Sequence, residues 1–188
     1  MFELMEIESQ FIQSPGICSG SVHLAAQGAL AEIQIKSLIM NGGSLYLSVH
    51  GGDAKLEIGN LIMNGGSLFA KIGGGGARST IETLNLNGGM LHMETSGGGA
   101  KSKIEKLEMS GGSLSLNADG GGVDEKIGIL NLSGGEFSLK TDGGGAEVSI
   151  EKLELSDGSS TLANEKGQKA FQGPCVELPN GRTILRNI

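Results

Sequence analysis

The sequence repeats with a period of 23 residues, and this period limits the folds that the chain can adopt. Pairs ending in glycine recur at this interval and give eight copies without an insertion. The pairs are Ser19-Gly20, Gly42-Gly43, Gly65-Gly66, Gly88-Gly89, Gly111-Gly112, Gly134-Gly135, Asp157-Gly158 and Asn180-Gly181. A fixed period of about 20 to 50 residues predicts a solenoid, a propeller or another repeat array.

Aliphatic residues follow the same period and show which structure fills each repeat. One column is an unbroken series of isoleucines at Ile12, Ile35, Ile58, Ile81, Ile104, Ile127 and Ile150. Within a repeat the apolar residues alternate with period two, as at Leu114 and Leu116, and the phase shifts by one residue between Ile104 and Leu107. Period two with one apolar face indicates strands, so we predict three short strands in each repeat.

Three corners should join these strands: near Glu105-Lys106, at the glycine pair, and at runs such as Gly120-Gly121-Gly122. Glycine suits tight bends because positive φ costs it little. We therefore predict an all-β fold, a right-handed parallel β-helix (a β-solenoid) of about eight coils, since parallel crossovers are nearly always right-handed. A leucine-rich repeat would need a helix, which 34 glycines in 188 residues disfavour.

The ends of the chain depart from the repeat. Residues 1–10 break the register and are predicted to form an N-terminal cap, and residues 11–188 are predicted to form a single β-solenoid domain. Pro15, Pro174 and Pro179, the only prolines, lie in the first and last coils. Proline cannot donate to a strand ladder, so these residues should protect the edges against unlimited end-to-end stacking.

Composition excludes some classes of function. The formal net charge of −7 argues against nucleic acid as a partner, and aromatic residues make up only 3% of the chain. The opening residues, MFELMEIESQF, contain neither a cationic start nor a long apolar run, so we expect no secretory signal and no transmembrane segment. Cys18 and Cys175 stand almost seven coils apart, too far for a disulfide within one molecule.

In a solenoid, residues 23 apart touch, so function is sought in columns that face outward. One such column contains the rings of His23, Tyr46, Phe69 and His92, and on the second strand of two of these coils Ile39 and Ile62 also point outward. The rings either stabilise neighbouring coils by stacking or form a contact patch for a protein or glycan partner, including a second copy of the chain. We predict these six residues as a binding surface.

A second outward column is acidic and runs through Ser96, Asp119, Asp142 and Glu165. Stacked carboxylates can bridge a cation or share acid–base work, although solvated turn acids are the more common case. No Ser-His-Asp or Cys-His set can be assembled from adjacent columns, so we predict no catalytic residue, no metal site and no cofactor. A third column, with Asn41, Asn64 and Asn87 followed by serines, should form a hydrogen-bonded ladder at the corner.

The pattern LNLNGGMLHM…GGGA…IEKLEMSGGSLSL resembles the repeats of bacterial autotransporter passenger domains and related adhesins, over Pro15 to Leu185. This resemblance implies a non-enzymatic β-helix that serves surface display, adhesion or assembly at the cell surface or outside the cell; without it, a cytoplasmic location is expected. Its two cysteines depart from those proteins, as do the absence of a signal peptide and of a translocator barrel that we expect from the sequence; either the chain is an excised piece or the resemblance is limited to the fold. Two alternatives stay open: a glycan-binding or polysaccharide-acting β-helix, and a bactofilin-like cytoskeletal or virion-spike protein.

Overall fold

In a computed structural model of the protein, residues 5–7, 9–12, 16–142, 147–155, 161–164 and 184–187 are described. These residues contain strands and turns but no helix. The strands are β1 (Met5–Ile7), β2 (Ser9–Ile12), β3 (Gly16–Ile17), β4 (Ser21–Gln27), β5 (Glu32–His50), β6 (Lys55–Gly73), β7 (Arg78–Leu86), β8 (Met90–Ser96), β9 (Lys101–Met109), β10 (Ser113–Asp119), β11 (Asp124–Leu132), β12 (Glu136–Asp142), β13 (Glu147–Leu155), β14 (Thr161–Asn164) and β15 (Ile184–Asn187).

The strands stack in parallel with the register that the period predicts. Ile81 on β7 lies opposite Ile58 on β6 and Ile104 on β9, each 23 residues away. The chain is therefore a parallel β-helix, as predicted. The described residues form about six turns, fewer than the predicted eight, and the outermost predicted copies fall largely on residues outside the described ranges. The right hand of the coil stays a prediction.

The three strand segments predicted for each coil are not all separated by breaks in the pairing. The bend near Glu105 does not interrupt β9: Ile104 is buried, Glu105 and Lys106 are exposed, and Leu107 is buried again. Pairing with β7 skips only Glu105, so the backbone turns a corner while it continues to pair with its neighbours. In β5 and β6 one strand of 19 residues includes the glycine corner as well.

The glycine corners have the predicted conformation. The second glycine of each described pair has positive φ, for example 83° at Gly66 and 79° at Gly112. A β-carbon on Gly66 would lie 2.7 Å from the backbone of Gly42, so the corner also lacks room for a side chain. Each glycine corner lies at one edge of the solenoid. The strand segment before the glycine pair forms the second outward face of the coil, and the segment after the pair forms the third.

Aliphatic side chains fill the interior. The isoleucine column is buried from Ile35 to Ile150, and the leucine columns at Leu38 and Leu45 are buried with it. The polar residues that are buried among those described are few: Ser79, Thr95, Ser102 and Glu125. Burial of a continuous aliphatic column is the main stabilising contribution in a stack whose coils contact only their neighbours.

Near the N-terminus the pairing interval changes. β2 keeps the interval of 23, with Ser9 opposite Glu32, whereas β1 pairs with β4 so that Met5 lies opposite Leu24, 19 residues on. The proposed boundary of the cap near residue 10 stays a prediction. The three prolines and Cys175 lie outside the described residues.

Candidate functional site

The four ring residues lie in one outward column, which we call the ring ladder: His23, Tyr46, Phe69 and His92. The centroids of His23 and Tyr46 are 4.4 Å apart with 10° between the ring planes, and those of Tyr46 and Phe69 are 5.2 Å apart with 9°. His92 is tilted by 54° from Phe69 at 6.4 Å. The parallel register brings these rings together because it sets residues 23 apart side by side.

Stacking decides which part of each ring meets solvent. Tyr46 is covered on both faces, by His23 and by Phe69, yet 38% of the residue is exposed. The exposed part is therefore the ring edge with its hydroxyl group. A sugar ring stacks on an aromatic face, so the inner part of the ladder is a poor carbohydrate platform, whereas its edges can pack against a protein surface.

The apolar residues of the second face lie across the glycine corner from the ring ladder. Ile39 is 40% exposed, and Ile62, half-buried, is directly opposite it on the next coil. Met90, at the start of β8, is 45% exposed on the ring side of the corner. The structure thus places exposed apolar side chains on both flanks of one edge of the solenoid.

The corner itself is lined by the predicted amide ladder. Asn64 donates from Nδ2 to Oδ1 of Asn41 at 2.8 Å, Asn87 donates to Asn64 at 2.9 Å, and Ser110 Oγ donates to Asn87 at 3.0 Å. Asn41 in turn donates to the sulfur of Cys18 at 3.9 Å. The hydrogen bonds run along the axis in one direction and hold successive corners in register.

A polar groove of about 700 Å³ follows the second face beside this corner. Its lining includes Asn85, Glu108, Asn131 and Glu154, which form one outward column, together with Ile62. Glu108 pairs with Lys106 at 2.7 Å and Glu154 with Lys152 at 2.5 Å, so the carboxylates are partly neutralised. Asn131 Oδ1 is buried without a hydrogen-bond partner among the described residues.

The acidic column is only partly described. Asp119 is exposed at the end of β10, with Ser96 opposite it on one side and Asp142 on the other. Glu165 lies outside the described residues. Within the described part of the chain, no three histidine, cysteine or acidic residues are grouped so that they could hold a metal ion.

Sequence reasoning missed one titratable residue, Glu125. It faces inward on β11 and is only 2% exposed. Burial raises its pKa to about 8, and a hydrogen bond with the Ser102 side chain partly opposes this shift. The signal was available: Ser79, Ser102 and Glu125 are successive members of one inward column.

No family model matches this chain, and neither does any curated protein or solved structure. The resemblance to autotransporter passengers and adhesins stays a prediction. Among the described residues there is also no helix with the length and apolar character needed to cross a membrane.

Proposed function

We propose that the protein is a non-enzymatic β-solenoid scaffold that contacts a partner through one lateral edge. The proposed contact surface, which we call the lateral patch, consists of the ring ladder together with Ile39 and Ile62. One observation carries the proposal: of the five large hydrophobic residues that are exposed in the described chain, Ile39, Tyr46 and Met90 flank the glycine corner, whereas Leu30 and Ile129 lie elsewhere. Exposed apolar residues that cluster beside one corner are typical of an interaction site.

The chemistry of the lateral patch favours a protein partner. Ring edges, the Tyr46 hydroxyl and two imidazoles offer polar contacts beside aliphatic surface, a combination that is common at protein interfaces. The nearest charged residues on the ring face include Lys71 and Glu94, which pair with each other at 2.9 Å. The patch therefore lacks a strong charge of one sign that would select nucleic acid or a highly charged polymer.

A scaffold of this kind would act by presenting the lateral patch to a partner. Rigid stacked coils hold the lateral patch at a fixed position, and the partner is either a surface protein or a second copy of the chain. Adhesion and assembly are the two forms of this function that we propose, at the cell surface or outside the cell if the resemblance to adhesins holds.

The test is a pair of substitutions that remove the rings and keep the strand. If the partner is a second copy, Tyr46→Ser and Phe69→Ser together should abolish the concentration-dependent association that sedimentation velocity measures. If the partner is a surface protein, the same pair should abolish the attachment of protein-coated beads to cells. The matched control is Ser115→Ala with Ser138→Ala, which alters the same outward column where it carries no ring. If the ring variant behaves as the unaltered protein does in both assays, the lateral patch has no part in function.

The polar groove favours a second candidate function, the binding or cleavage of a glycan. Amides and carboxylates spaced one coil apart could hydrogen-bond to the hydroxyl groups of an extended sugar chain. Binding to a glycan array that is lost in Glu108→Gln would support this function. If the unaltered protein cleaves a glycan and Asp142→Asn does not, the protein is an enzyme and the non-enzymatic proposal is overturned.

A further inference from the structure

The interior contains one ionisable side chain that the proposed function does not use. Glu125 is buried in the core. In the parallel register it lies opposite Ser102 on β9 and Val148 on β13. The residues two positions away on either side are aliphatic and buried: Val123, which directly precedes β11, and Ile127 on β11. An acidic residue at such a position is rare because a charge in an aliphatic interior is unfavourable.

Nothing in the described core compensates a negative charge on Glu125. It is the only titratable residue among the described residues that are buried, so no other such group faces it from the neighbouring strands. Ser102 provides a hydroxyl from β9, and Val148, which pairs with Glu125 from β13, is a residue type without a titratable group. Within the part of β12 whose burial is described, the buried residues are Phe137 and Leu139. Oε2 of Glu125 has no hydrogen-bond partner in the described chain.

The carboxyl group therefore fits its surroundings only when it is protonated. A neutral carboxylic acid can lie in an apolar interior with one hydrogen bond, whereas a carboxylate there would need a partner cation or several donors. The raised pKa, about 8, agrees with this conclusion from burial and contacts.

We propose that Glu125 is a proton-dependent latch inside the solenoid: the coils around it stay closed while its carboxyl group is neutral and separate locally when the group loses its proton. Each coil contacts only its neighbours, so the stack can open at β11 without losing the coils that precede it. The latch would make the coils around β11 sensitive to a rise in pH between about 4.5 and 8, while the ring ladder on the N-terminal coils stays in place.

The direction of the pH effect follows from linkage. In the closed form the group titrates near pH 8, and in the opened form it titrates near its ordinary pKa of 4.5. The free energy needed to open the coils is greatest below pH 4.5 and decreases as the pH rises towards 8. Above pH 8 it no longer depends on pH. Between these limits, opening becomes about tenfold more favourable with each pH unit.

Hydrogen exchange of the intact chain tests the latch. The ratio of exchange rates between the unaltered protein and Glu125→Gln, taken amide by amide at the same pH, removes the intrinsic dependence of exchange on pH. For β11 amides this ratio should increase about tenfold per pH unit between pH 5.5 and 7.5. For β6 amides it should stay constant. Glu136→Gln, an exposed acid on β12, is the matched control and should leave both profiles unchanged.

A ratio for β11 that does not vary with pH would overturn the proposal. If Glu125→Gln fails to fold, the side-chain carboxyl carbon of Glu125 can be titrated by NMR in the unaltered protein. A midpoint near 8 in the folded chain supports the latch, and a midpoint near 4.5 with the fold intact refutes it. Neither result depends on whether the lateral patch binds a partner.

Discussion

The backbone of Gly51 lies so close to the carbonyl oxygen of Gly28 that no β-carbon fits between them. The same relationship recurs one coil further on, where Gly74 lies against Gly51, and again where Gly97 lies against Gly74. The glycine-rich corners are thus required by the close approach of successive coils. Positive φ adds to this requirement at Gly74 and Gly97, but Gly51 is sterically restricted without it.

Gly51→Ala should destabilise the protein by about 3 kcal/mol, because the added methyl group must displace backbone, which cannot yield as a side chain can. Chemical denaturation monitored by circular dichroism measures this loss. The matched control is Gly121→Ala, at a corner glycine whose β-carbon would meet nothing within 4 Å. Equal stability of the two variants would show that the corner has more room than its geometry indicates.

Ile104→Ala should reduce the free energy of unfolding by about 2–5 kcal/mol, since it opens a cavity in the filled isoleucine column. Ile129→Ala changes the same residue type at an outward position that is 36% exposed, and it should alter stability by less than about 0.5 kcal/mol. Urea denaturation of each variant measures the change in the free energy of unfolding. A small effect at Ile104 would contradict a packed interior.

Asn64→Ala should destabilise the protein by about 1 kcal/mol, because it removes one donor and one acceptor from the corner ladder. Asn60→Ala, on the same strand but outside the ladder, is the control and should have little effect. The comparison uses thermal unfolding of both variants, and a similar midpoint for the two would mean that the ladder contributes no stability.

A double-mutant cycle on Tyr46 and Phe69 separates the stability of the ring ladder from its proposed contacts. Stacking at 5.2 Å should give a coupling energy of about 0.5–1.5 kcal/mol between the two rings. The cycle is measured by unfolding of the isolated chain with Tyr46→Ser, Phe69→Ser and the pair. Zero coupling would leave partner binding as the remaining explanation for this column of rings.

Ser102→Ala should raise the pKa of Glu125 further, because the hydroxyl group of Ser102 lowers it in the folded chain. Carbon-detected NMR would then place the titration midpoint of the Glu125 carboxyl group above 8. Thr95→Ala removes a buried hydroxyl elsewhere in the core and should leave that midpoint unchanged. A midpoint that falls in Ser102→Ala would show that Ser102 does not stabilise the carboxylate.

The sequence by itself determined the architecture. A period of 23 with aliphatic columns can be satisfied only if equivalent residues stack, so it fixed the parallel register, the buried isoleucines and the glycine corners, and it also placed the rings in one outward column. It could not show how the rings lie, because tilt and exposure depend on how closely neighbouring coils approach.

Tertiary structure decided the rest. Local periodicity suggested a strand break near Glu105, but hydrogen bonds to the adjacent coils carry the strand through that bend. Only the assembled coils show that the faces of Tyr46 are covered while its edge is free, and that Glu125 is enclosed without a counter-charge. Both properties arise from contacts between residues far apart in sequence, and a pKa depends on everything that surrounds the group.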